Sequence, residues 1–252
     1  MIHQTKDKLA ELRLSGMLLE LERQLQNPDI LQLSFEDRLG MLVDQELLER
    51  DNRRLQSRLA KAHLRDNACI EDIDFKTPRG IERSFVMMLA KNEWVRQHQN
   101  IIITAPTGTG KTYLACALAQ KACRDGFSAQ YHRVSRLLQA AATGRGDGSY
   151  AKVLEKIAKA NVLVLDDWGI QTLNDSQRRD LLEIIEDRYH TQSTIIATQL
   201  PVDKWHELIG DLTIADAIMD RLVHNAHVIS MKGGSMRKKL NSVSKVSTLV
   251  QN

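Results

Sequence analysis

The stretch Ile101-Ile102-Ile103-Thr104-Ala105-Pro106-Thr107-Gly108-Thr109-Gly110-Lys111-Thr112 decides how this chain is read. Three consecutive isoleucines suit a strand buried on both faces. A helical pattern takes over at Tyr113 and continues to Cys123. Between them, Gly108 and Gly110 let the backbone curl so that successive N–H groups converge on an anion. The helix beginning near Gly110 adds the positive end of its dipole. Lys111 brings a point charge for β- and γ-phosphates, and the Thr112 hydroxyl suits Mg²⁺. A strand, a glycine-rich turn and a helix in this order make a P-loop. Residues Ala105, Pro106, Thr107, Gly108, Thr109, Gly110, Lys111 and Thr112 are therefore the candidate ATP contacts. Such loops usually open on glycine, and here Ala105 must hold negative φ instead.

Working outward, a second apolar run, Val162-Leu163-Val164-Leu165, ends in Asp166-Asp167. Adjacent carboxylates at a strand end repel unless a cation is near, which points to metal. Asp166 is the expected Mg²⁺ ligand, together with Thr112, and Asp167 the group that orients or deprotonates an attacking water. Asp167 is shorter than the glutamate common at this place, so slow basal hydrolysis is expected. Further short runs at Ala129–Val134, Thr194–Thr198 and His227–Ile229 alternate with helical stretches. Five runs alternating with helices imply an α/β fold with a parallel sheet covered on both faces.

The first 75 or so residues read as helical throughout. Leu14, Leu18, Leu21 and Leu25 stripe one helix face, and Asn27-Pro28 stops it. Ser34-Phe35-Glu36-Asp37 reads as a capping box opening a helix over about 35–65. Arg50, Arg53, Arg54, Arg58, Lys61 and Arg65 face a single acid, Asp51, between positions 50 and 65. Most step by three or four and share a face. That face is either a solvated surface or a ridge that contacts nucleic-acid phosphates. Thr77-Pro78-Arg79-Gly80 marks a change of pattern, and no acid follows Asp220. The expected organisation is a helical domain over 1–70, an ATPase domain over 71–240 and a poorly ordered basic and polar tail over 241–252. The segment Gly144–Gly148 is expected to be a mobile surface loop, and Trp205 and Leu208 to lie on an amphipathic surface helix.

Composition narrows the class. The chain has 252 residues, 42% hydrophobic and 27% charged, with a net charge of +3, which excludes wholesale disorder. Three cysteines without a CxxC pair argue against a disulfide framework and for a reducing, cytoplasmic setting. No apolar run approaches the roughly 18 residues needed to cross a bilayer, and because Met1–Asp7 reaches charge at once without the apolar stretch of a signal peptide, neither feature is expected.

Several segments together resemble the IstB-type transposition helper ATPases of bacterial insertion elements, within the AAA+ superfamily. They are Leu33–Leu39, Ile70–Phe75, Ala105–Thr112, Leu165–Gly169, Asp180–Tyr189, Asp220–Leu222 and Lys232–Arg237. The chain is also similar to bacterial helicase-loader ATPases. The resemblance implies a small all-α domain before an AAA+ core with a five-stranded parallel sheet flanked by helices. It implies ATP-dependent self-assembly on duplex DNA and recruitment or stimulation of a cognate transposase, with DNA-stimulated hydrolysis of ATP. By the same resemblance Gln199, with Thr198 beside it, takes the γ-phosphate-sensing position. Arg221 becomes the finger offered to a neighbouring subunit, with Arg178 or Arg179 as substitutes, and Arg237 a second sensor in cis. The competing readings are a replicative helicase loader and an architectural DNA-binding protein that keeps ATP as a structural ligand.

Overall fold

The computed structural model describes residues 2–236. Its helices and strands divide into two compact units, Met1–Arg58 and Leu59–Asn252. The division falls inside a helix, earlier than the Pro-Gly boundary that the sequence pattern suggests.

In the first unit, α1 (Ile2–Glu11), α2 (Ser15–Gln26), α3 (Pro28–Leu31) and the start of α4 (Phe35–Ala62) follow one another. Asn27 ends α2 and caps α3, accepting a bond from the Asp29 N–H, with Pro28 in the first turn. Ser34 opens α4 by accepting from the Asp37 N–H at 3.1 Å. Glu46 of α4 reaches the start of α2, taking bonds from the N–H groups of Gly16 (2.7 Å) and Met17 (3.2 Å). A carboxylate there meets both unpaired amides and the positive helix end. Gly16 permits the approach, because a Cβ would stand 2.6 Å from the Gln45 carbonyl oxygen.

The second unit continues with α5 (Arg83–Leu89), α6 (Glu93–Arg96), β1 (Asn100–Thr104), α7 (Lys111–Arg124), β2 (Ala129–Arg133), α8 (Val134–Asp147) and α9 (Tyr150–Ala158). It closes with β3 (Val162–Trp168), α10 (Asp175–Arg188), β4 (Ser193–Thr198), α11 (Trp205–Ile209), α12 (Leu212–Val223) and β5 (Ala226–Ser230). The strands form one parallel sheet in the order β2-β3-β4-β1-β5. Ile101–Ile103 and Val162–Leu165 are wholly buried, as strands covered by helices on both faces must be. Arg188 secures the lower edge, donating to the carbonyls of Ile157 (2.7 Å) and Ala160 (2.8 Å), with the Ser193 carbonyl as a third acceptor.

One local expectation needs correction. Gly144–Asp147 is not a loop but the last turn of α8, which Gly148 closes at φ 79°. Arg145 lies 4.3 Å over the Tyr150 ring and pairs with the buried Asp180, so this segment is tied to α9 and α10. Trp205 is fully buried and packs against Trp168 at 4.8 Å, and Ile209 is buried too, while Glu207 is exposed, so α11 is amphipathic, with one face in the core and the other at the surface. Among the described residues, no helix is long and apolar enough to cross a membrane.

Two outcomes follow for the first unit. Gly16→Ala should cost ~1–3 kcal/mol, read as an earlier helical melt, because the new Cβ must push two backbones apart. The hydrogen bond from Arg50, helped by the Gly16 and Met17 amides, holds the Glu46 carboxyl below its ordinary value of 4.5. That stabilisation is complete above this pH and fades as acid protonates the folded carboxyl. Glu46→Gln should therefore flatten the acid side of the stability profile.

Candidate active site and basic surface

The glycine-rich loop, the Asp pair and Gln199 meet at the carboxyl ends of the strands, where open α/β sheets bind ligands. Registers Thr104↔Thr198 and Thr104↔Ser230 put the exits of β4 and β5 on either side of the loop that leaves β1. Within that loop only Gly108 (φ 84°) and Gly110 (φ 101°) take positive φ. Ala105 is buried and keeps its N–H on the Thr198 carbonyl at 3.0 Å, so a glycine is not needed there. Thr109 turns inward, its hydroxyl donating to the Pro106 carbonyl at 2.9 Å.

Lys111 and Thr112 begin α7. The Thr112 hydroxyl donates to Asp166 Oδ2 at 2.9 Å, joining the loop to the end of β3. Asp166 has no exposed surface. Its Oδ2 also accepts from the Tyr131 hydroxyl at 2.6 Å and lies 3.5 Å from Arg65 Nη1, while Oδ1 accepts from the Asp167 N–H at 2.9 Å. Burial, then the Asp166 carboxylate, pushes the Tyr131 hydroxyl above its ordinary value and keeps it a donor. The β3–β4 register breaks between Leu165 and Trp168, and Asp167 sits at φ 59°. Aspartate tolerates this left-handed backbone better than most residues, and bulges of this kind re-aim side chains beside sites. Asp167 Oδ2 lies 3.6 Å from Arg133 Nε.

At the end of β4 the two expected sensing residues part company. The Thr198 hydroxyl is buried and tied to the Trp168 carbonyl (2.9 Å) and the Leu200 N–H (2.9 Å). Gln199 is exposed and its Oε1 accepts from the Thr107 hydroxyl at 2.6 Å, so it faces the loop. Arg221 lies in the last turn of α12. Its guanidinium pairs with Glu186 at 2.9 Å, and its carbonyl accepts from Asn100 at the start of β1. It thus sits at the start of β1, at the end of the sheet away from its own loop. Arg178 is held by Asp175 at 2.6 Å, and Arg179 is exposed on α10. Arg237 lies outside the described residues. The chain just before it returns to the loop, since the Met236 N–H donates to the Gly108 carbonyl at 2.9 Å.

Several contributors escaped the sequence reading. Arg79 is a buried guanidinium whose Nη1 donates to the Thr109 carbonyl at 2.9 Å, with its other terminal nitrogen on the Asp74 carbonyl. Tyr131 and Arg133 come from β2, and their approach to the Asp pair depends on β2 lying beside β3. No local pattern announces that adjacency. Pro78-Arg79-Gly80 carried a signal only as a boundary.

On α4 the basic face is present but partly offset. Arg50 pairs with Glu46 at 2.7 Å, Arg53 with Glu46 at 3.7 Å and Glu49 at 3.9 Å, and Arg54 with Asp51 at 3.3 Å. Arg50, Arg53 and Arg54 line a shallow cleft of about 400 Å³ with Arg13 from the end of α1, a residue that the ridge pattern did not include. Arg58 and Lys61 continue along the helix. Arg65 does not, because α4 ends at Ala62, His63 turns at φ 49°, and the Arg65 side chain goes to Asp166.

The model of the IstB-like ATP binding protein family matches residues 7–244. A putative insertion sequence ATP-binding protein of Sinorhizobium fredii is 48% identical over 94% of this chain and 96% of its own length. The insertion sequence IS21 putative ATP-binding protein of Pseudomonas aeruginosa is 30% identical over 94% of this chain and 90% of its own. Among solved structures, DnaI aligns at a TM-score of 0.56 and 21% identity over 66% of this chain and 91% of that chain. AMPPCP-bound DnaA from Aquifex aeolicus aligns at 0.56 and 18% identity, over 67% of this chain and 51% of that one. At these identities the two structures speak for the fold alone, a P-loop domain of AAA+ type. Family match and close relatives agree along nearly the whole sequence, and the chain belongs to the IstB-like ATP binding proteins.

Proposed function

We propose that this protein is an ATPase that assembles on duplex DNA and serves transposition by recruiting or stimulating a transposase. The observation that carries the catalytic part is the Thr112 hydroxyl 2.9 Å from the buried Asp166 carboxylate, beside a loop curled at Gly108 and Gly110. Those oxygens fit Mg²⁺, which takes one or two carboxylates and completes its shell with phosphates and water. Among the described residues no group of three His, Cys, Asp or Glu side chains gathers to hold a metal, so the ion here would rest on carboxylate, hydroxyl and phosphate oxygens. Bound there, Mg²⁺ would neutralise phosphate charge.

The chain's own residues supply the rest. The amides of Thr107–Thr112 and the Lys111 ammonium would cradle the phosphates. Asp167, turned by its left-handed backbone, would orient the attacking water or take its proton. Gln199 would contact the γ-phosphate region, and Arg221 would reach a neighbouring subunit's nucleotide. Arg237 is assigned the cis contact because Met236 meets the loop. Hydrolysis is then in-line attack by water, accelerated by placement and charge. Arg50, Arg53, Arg54, Arg58 and Lys61 are the assigned duplex contacts, with Arg13 added by the cleft. The insertion-sequence relatives favour a transposase as partner over a replicative helicase, which would use the same ATP site. Co-purification with each candidate separates the two.

A charge-assisted bond is worth about 1.5–3 kcal/mol, so Lys111→Ala should weaken ATP binding by ~10-fold or more in fluorescence titrations. Asp167→Asn should keep ATP affinity and lower phosphate release by about 10²–10⁴; unchanged release would remove Asp167 from the chemistry. Gly110→Ala should also lose nucleotide, since a Cβ at φ 101° would stand 2.9 Å from Arg79 Nη1. DNA affinity should fall with salt at a log–log slope of roughly −0.9 per neutralised phosphate, and Arg54→Ala should reduce that slope by about 1. Steady, DNA-stimulated phosphate release would exclude ATP as a purely structural ligand.

A further inference from the structure

We propose that Arg65 is the cation Asp166 keeps until a divalent metal arrives with nucleotide, while Tyr131 is the positioning residue that aims the carboxylate throughout. The inference rests on the reading of Asp166 and Thr112 as the metal site.

A carboxylate removed from water must be answered by donors or a cation. Asp166 is wholly buried, and among the described residues Arg65 is the cation ion-paired with it. The pairing uses one oxygen: Oδ2 faces Arg65 at 3.5 Å and is the same atom that accepts from Thr112 at 2.9 Å. A metal shared by Thr112 and Asp166 would have to take up that place. Oδ1 accepts from the Asp167 N–H and is not the oxygen bonded to Thr112.

Besides Thr112, the other two partners of Oδ2 differ in how freely they can leave. Tyr131 projects from β2, the edge strand paired with β3, and its 2.6 Å bond joins these two neighbouring strands. The Arg65 side chain is 32% exposed, at ion-pair range and not in a tight bond. Its backbone is anchored, because the Cys116 thiol on α7 is bonded by the amides of Arg65 and Asp66. The guanidinium can therefore swing to solvent without moving the chain, while its bond to the Tyr131 oxygen gives it a defined resting place. In the empty site Arg65 balances the carboxylate charge. In the loaded site it yields, and the metal inherits a carboxylate already oriented by Tyr131.

The test is the metal requirement for nucleotide binding, read with a fluorescent ATP analogue titrated with Mg²⁺ from EDTA and with Mn²⁺ followed by electron paramagnetic resonance. Competition for one oxygen predicts that Arg65→Gln lowers the half-saturating metal concentration by about fivefold or more, and that Arg65→Lys stays within about twofold of the parent. Tyr131→Phe, which loses an outer-shell donor, should raise it by ~10-fold or more. The opposite signs matter, because general damage to the site would weaken metal binding in both variants. An Arg65→Gln value equal to or above the parent's overturns the role of Arg65 and leaves the metal site standing. A parent protein whose nucleotide binding ignores metal overturns the metal site and this inference together.

Discussion

The end of β3 is organised around a charge that cannot reach water. Asp166 is enclosed by the sheet, and everything within bonding distance is a donor: a hydroxyl from α7, a hydroxyl from β2, its neighbour's amide and a guanidinium. A buried carboxylate left unanswered would unsettle the fold. Its four partners come from four different places in the sequence. The need to satisfy one side chain thus fixes the phosphate loop, the second strand and the segment after α4 to one another. Folding and preparation of the site are the same event here.

The loop itself rests on a second buried charge. Arg79 holds the Thr109 carbonyl from beneath, and its own carbonyl accepts from the Lys232 N–H at 2.7 Å. The loop is therefore braced from before β1 and from beyond β5. This bracing explains why alanine serves at position 105. The demanding backbone angles fall at Gly108 and Gly110, whereas Ala105 only continues the strand's pairing with β4.

Much of this was legible in the sequence. Short runs flanked by helical periodicity located all five strands, to within a residue at each end except in β3, which continues past Leu165 through the Asp pair to Trp168. The loop and the Asp pair announce themselves because their chemistry is local: glycines where φ turns positive, a lysine and threonine at a helix start, carboxylates at a strand end. What stayed hidden depends on strand order. Tyr131 looks like any strand tyrosine until β2 is placed beside β3. Arg65 sits at helical spacing from Lys61, and only the turn at His63 takes it off that face. The stretch at Gly144–Gly148 misled because glycine weakens a helix without forbidding one, and Arg145 supplied ties that propensity does not see.

Thr198 carries one more lesson. Its hydroxyl stitches the last carbonyl of β3 to the amide that follows Gln199, so the tips of two neighbouring strands behave as one lever. On the roles proposed for Gln199 and Asp167, a displacement at Gln199 would pass to the backbone beside Asp167 through these two bonds. Detection of a terminal phosphate and alignment of a water would then be a single rigid motion, with no signal to relay between them.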